Sequence, residues 1–279
     1  MSSLPTAPPA GLRTRRPAAR RWAAPRLGVG LGAVVPVSVL LLLEAVSRAG
    51  WVAPNLLPPP SEVLATLWWL VQQGDLLAHV GASSLRVATG FAVGAGLALA
   101  IGALVGLNHR AERLLDPSFQ ALRAIPSLAW VPLLLLWLGI DEGPKLVLIA
   151  IGAFFPVYMG VASGFRDVDR KLVEVARMAG LSQLALVRRV LLPAALPSVM
   201  TGLRNGLSLA WMFMVAAELI AATRGLGYLL TDGRETGRAD IVLAAIVLLA
   251  LLGKLSDTGM AQLERRWLSW RDTFDSRRS

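Results

Sequence analysis

The chain is 279 residues long and 55% hydrophobic, with 28 Lys and Arg against 18 Asp and Glu and a formal net charge of +10. Its mean hydropathy of +0.58 excludes an ordinary soluble domain and fits an integral membrane protein. No cysteine is present, so disulfides and thiolate metal sites are excluded. The basic residues sit in tails and loops between apolar runs, which reads as positive-inside topology rather than nucleic-acid binding.

Residues 1–26 hold Arg13, Arg15, Arg16, Arg20, Arg21 and Arg26 among Pro and Ala, the composition of a disordered tail. A transmembrane domain is expected over 27–265, followed by a second tail over 266–279. The first apolar run, 28–47, is longer than a signal-peptide core and reads as a span, with Glu44 and Arg48 paired four residues apart near its end. Residues 50–84 are too polar to span. They offer a turn from Asn55 to Ser61, a helix starting at Ser61 and Glu62, and Trp68 and Trp69 for an interfacial position. Further spans are expected at 86–107, 119–139, 145–164, 198–221 and 240–260. Each is near the ~20 residues that cross ~30 Å of hydrocarbon. Pro126 and Pro132 interrupt the third span and Pro156 the fourth. The expected class is therefore all-α, with six transmembrane helices and both ends on one side. Arg110, Arg113, Arg166, Lys171, Arg188, Arg189, Arg265 and Arg266 put that side in the cytoplasm.

One stretch outside the spans still reads as packed structure: the elbow 171–197, KLVEVARMAGLSQLALVRRVLLPAALP. Leu172, Val173, Val175, Ala176 and Met178 precede Gly180 at helical spacing, and Leu184, Val187, Val190 and Leu191 follow it. Gly180 suits a left-handed stop between two short helices, and Pro193 is expected to close the second. A knob of this kind fits another protein's groove; an amphipathic hairpin on the bilayer surface is the competing reading.

The elbow resembles the EAA loop of binding-protein-dependent ABC importer permeases. Glu174-Val175-Ala176, then Gly180, then Val190-Leu191-Leu192-Pro193 keep that loop's spacing. The resemblance implies that Glu174, Ala176, Gly180, Val190, Leu192 and Pro193 belong to the element that couples to an ATPase. Leu57 to Ser61, Ser84 to Phe91, Asp116-Pro117, Arg123 to Pro126, Ala217 to Ile220 and Gly225 to Tyr228 are similar to the aliphatic sulfonate, taurine and nitrate permeases. The similarity covers about 28–270 and implies a type I importer fold with the elbow as cytoplasmic coupling helix. It further implies ATP-binding subunits beneath, and a periplasmic or lipid-anchored substrate-binding protein above. The location it implies is the bacterial inner membrane. Relatives in this group carry sulfonates, nitrate, bicarbonate or thiamine-precursor pyrimidines, so a small anion is the leading substrate class.

The chain lacks an engine of its own. No stretch fits G-x-x-x-x-G-K-[ST], and no HExxH or nucleophile–base set is present, so it reads as a non-enzymatic subunit with ATP held by a partner. No metal site is expected, since His79 and His109 have no partners at ligand spacing and suit surface roles. One chain carries one elbow, which suggests a pair of permease chains, most simply a homodimer. A passive channel or a membrane-embedded enzyme remains an alternative, although neither has a use for the elbow. Within the spans, Glu218 and Trp211 are the candidate pathway or gate residues, and Lys254 with Asp257 reads as a mutual pair.

Overall fold

The computed structural model describes residues 27–53 and 55–270, so the tail expected over 1–26 lies outside the described residues, as do residues 271–279. Eleven α-helices follow one another, with no strand among the described residues. Helix α1 (Leu27–Arg48) lies against α2 (Pro60–Gln73). Glu44 clasps the junction: it accepts from Arg48 Nε at 2.6 Å, from the Ser61 hydroxyl at 2.7 Å and from the Ser61 amide at 3.0 Å. Pro60 opens α2 at a position where its missing N–H has no partner to lose. Gly74, at φ +80°, turns the chain directly into α3 (Asp75–Leu107). That helix is 33 residues long and begins eleven positions before the expected span, taking in Asp75, His79 and Arg86.

Asn108 caps α4 (His109–Ala124) by accepting from the amides of Arg110 and Ala111. The single span expected at 119–139 is not one helix. It breaks into α4, a 3₁₀ turn (Ser127–Trp130) and α5 (Val131–Leu138), bent by 87°. The cause is local, because proline drives the residue before it out of the helical region, and Ile125 stands at ψ +124°. Pro132 interrupts nothing; it sits in the first turn of α5. Pro156 lies inside α6 (Glu142–Arg166), which continues through it.

After α7 (Arg170–Met178) comes α8 (Gln183–Leu186), a π-turn (Val187–Leu191) and α9 (Leu192–Ala221). Pro193 does not end a short second helix as expected, since the helical path runs unbroken from Gln183 to Ile220. The π-turn ends two residues before Pro193, with the Leu192 amide reaching back five residues to the Val187 carbonyl. That wider turn relieves the clash between a proline ring and the preceding carbonyls. Helices α10 (Leu226–Glu235) and α11 (Ala239–Trp267) complete the chain.

Among the described residues, α3, α6, the α8–α9 run and α11 are each long and apolar enough to cross a membrane, and the bent α4–α5 pair makes a fifth crossing if taken as one. This is a multi-pass membrane protein. Its core lies where α3, α6 and α9 meet, around Ala98, Val157, Tyr158, Val161, Ala195 and Val199. A second layer holds Val87, Ile149, Ala153, Ala210 and Met214. Lipid tails are as apolar as these side chains, so close backbone approach rather than exclusion of water must hold such helices together. Gly90, Gly94, Gly102 and Gly106 on α3 supply that approach to α6, with buried Ala98 between them. A β-carbon at Gly102 would lie 2.9 Å from Val161 Cβ, and one at Gly160 would lie 2.8 Å from Gly202 Cα on α9.

Candidate functional site

Three places in this frame hold the chemistry. The first is the elbow. Asp169 caps α7 by accepting from the Lys171 amide. The helix ends as the Leu181 amide bonds back to Ala176 and the Gly180 amide to Arg177, with Gly180 at φ +73°. Nothing lies within 4 Å of where a Gly180 β-carbon would stand, so glycine is there for its backbone and not for space. Leu172, Val175 and Met178 recur every three residues and are exposed, with Met178 88% accessible, and Leu184 is exposed on the following helix. Glu174 is exposed and paired to Arg170 at 2.9 Å. Ala176 is buried, Val190 and Pro193 are half-buried, and Leu192 is exposed. The six coupling candidates are therefore not one surface: Glu174 and Gly180 face outward, while Ala176 packs inward.

The second place is a buried polar cluster at the opposite end of the bundle. Glu218, 1% exposed, accepts from Arg86 Nη1 at 2.7 Å, from the Ser83 hydroxyl and from the Gly227 amide at 2.8 Å. Ser83 accepts in turn from the Leu226 amide. Arg86 forks onto Glu142 at 2.6 and 2.7 Å and donates to the Arg224 carbonyl, and Lys145 adds a bond to Glu142. Gly225 is required twice over, since its φ is +135° and a β-carbon would collide with the Glu218 carboxylate. His79 is no free surface group: it accepts from the Gly225 amide at 3.0 Å and stacks on Tyr228. Sequence reading found Glu218 but not its partners. The available signal was an arginine and a glutamate on separate apolar helices, which in a membrane must find each other.

Trp211 donates to Ser256 at 2.9 Å, tying α9 to α11. Asp257 pairs with Arg204 at 2.9 Å rather than with Lys254, and Arg204 also holds Glu264. At the elbow end, Asp116 accepts from Tyr158 and Arg166, and Arg166 also meets Glu112. His109, exposed, lies 3.0 Å from Glu112. At the far end Arg238, just outside α11, is held above its ordinary pKa chiefly by its bond to Asp240, and lies over the Trp69 ring. Among the described residues no group of three His, Asp or Glu is placed to hold a metal.

The third place is a groove of about 740 Å³ along α6 and α9, reached by the end of α4. Its walls include Pro156, Gly160, Ser163, Ser198, Thr201 and Asn205, and Arg123 and Ser127 enter at the α4–α5 break. Neither Glu218 nor Trp211 lines it.

A family model described as binding-protein-dependent transport system inner membrane component matches residues 92–269. The Bacillus subtilis protein named as aliphatic sulfonates transport permease SsuC is 41% identical over 250 residues, covering 90% of this chain and 91% of its own. The taurine transport system permease TauC of Escherichia coli is 34% identical, with 90% and 92% covered. A chain from the MetNI methionine ABC transporter, solved in inward facing conformations, superposes with a TM-score of 0.60 at 21% identity, covering 69% of this chain and 95% of that one.

Proposed function

The chain belongs to the binding-protein-dependent transport system inner membrane component family, and on that premise we propose that it is the membrane-spanning subunit of an ATP-driven importer of small anions. The observation that carries the reading is the unpaired apolar face of α7. Leu172, Val175 and Met178 are exposed together on one short helix at one end of the bundle. Fully burying side chains of this size is worth about 1.5–3 kcal/mol each, whereas an exposed ion pair such as Arg170–Glu174 is worth roughly 0.2–1. The apolar face therefore holds a cytoplasmic ATP-binding subunit, and Glu174 sets its register. The basic residues around the elbow favour its cytoplasmic placement, with both termini on that side. Two such docks are supplied by two copies of the chain, and a binding protein delivers substrate to the opposite end.

The relatives named for aliphatic sulfonates and taurine support a sulfonate-type anion as substrate. Co-purification with the ATP-binding subunit tests the assembly: wild type should retain it, and Val175→Asp with Met178→Asp should lose it while the permease stays folded. Uptake of alkanesulfonates, taurine and nitrate into proteoliposomes holding the full complex tests the substrate. Retention of the ATPase by the doubly charged variant sinks the elbow reading, and ATP-independent uptake would make the chain a channel.

A further inference from the structure

We propose that Arg123 is the charge-selecting residue of the α6–α9 groove, favouring the entry of small oxyanions; this rests on the importer reading for its biological use but not for its physics. Among the described residues Arg123 is the only charged one in the groove wall. Arg86, Arg166, Arg204 and Arg238 each hold a carboxylate. No ion pair among the described residues includes Arg123. Arg123 is exposed, and the α4–α5 break delivers it to the groove. The wall around it is built for an anion of modest size. Ser127, Ser163 and Ser198 bring hydroxyls with no partner among the described residues, Asn205 adds an amide, and Thr201 donates to the Pro197 carbonyl. Among the described residues no carboxylate lines the groove to cancel the cation. A volume of about 740 Å³ falls within the roughly 300–1,000 Å³ typical of small-molecule sites.

The simpler account is that Arg123 merely offsets the dipole at the end of α4, a role any cation fills from the last turn. The chain contains no cysteine, so Ser198→Cys creates its single thiol, in the groove wall. The thiol's reaction rate with the anionic sulfonatoethyl methanethiosulfonate is compared with that of the cationic trimethylammonioethyl reagent, on the purified full chain in nanodiscs. With Arg123 present the anionic reagent is favoured, and in Arg123→Gln the anionic-to-cationic ratio falls at least tenfold. Arg123→Lys keeps most of the ratio, because charge and not side-chain shape sets it. A ratio changed less than twofold by Arg123→Gln overturns the proposal, as does an equal collapse in Arg123→Lys. The readout needs no ATP and no transport. A wild-type complex that imports no anion while the ratio still falls in Arg123→Gln would sink the importer reading and leave Arg123 standing.

Discussion

Glu218→Gln is the sharpest probe of the buried cluster. The substitution keeps size and shape but replaces one carboxylate oxygen with a donor. Oε1 accepts from Arg86 and Ser83, and Oε2 from Gly227 and Ser83. Whichever way the amide turns, its NH₂ meets an N–H that already points at it. If it faces Gly227, a charge-assisted bond is lost and the buried amide is stranded, each costing about 1–3 kcal/mol. If it faces Arg86, the guanidinium still has Glu142 on its other edge, but Ser83 and Arg86 now share a repelled position. The net cost should be about 3–5 kcal/mol, the range for breaking a buried pair from one side. At about 2–4 °C per kcal/mol for chains of 150–250 residues, the detergent-solubilised protein should melt on the order of 10 °C lower. Arg86→Gln should show strong coupling to it in a double-mutant cycle, about 1–3 kcal/mol. A melting shift below about 3 °C, or additive single effects, would refute the claim that this cluster holds the far end together.

Gly160→Val should cost more than about 3 kcal/mol and depress the yield of folded protein, because even its first carbon meets the Gly202 backbone. Gly96→Ala on α3, where nothing lies within 4 Å, should instead be neutral or stabilise by up to about 1 kcal/mol in the same melting assay. Gly180→Val should cost about 1–2 kcal/mol through its backbone alone, so the chain still folds while pull-down of the ATP-binding subunit weakens. Asp257→Asn should lower stability by about 1–2 kcal/mol through Arg204, whereas Lys254→Gln should stay within about 0.5; a Lys254–Asp257 pair would require similar losses from both.

The apolar runs and the elbow were legible because both are local signals: periodicity, a glycine at a helix end, a proline at a fixed distance. The start of α3 was not, since Asp75, His79 and Arg86 lower the hydropathy of a stretch that is helical throughout. Their compensation comes from Glu218, Glu142 and the Gly225 loop, the first of them 132 residues away from Arg86. Prolines misled for a related reason. Pro126 breaks a helix, Pro156 is carried within one and Pro193 follows a π-turn, and only the neighbouring backbone decides which. The small residues Gly90, Gly94, Ala98, Gly102 and Gly106 stand four apart in plain view. That spacing suits a close helix approach, and only the fold shows that α6 fills it.

The run from Gln183 to Ile220 puts the second half of the elbow and Glu218 on one piece of helix. Its 38 residues make a strut about 57 Å long at 1.5 Å per residue. Its soft points, the π-turn at 187–191 and Pro197, both fall in the half nearest the elbow. Beyond them the strut is regular α-helix, held closely against α6 at Gly202 and Gly206. On the docking proposed for the elbow, a push delivered beside Gly180 would be cushioned only at the near end. What remained of it would reach Glu218 with the Arg86 fork and the Gly225 loop as the bearing to move against.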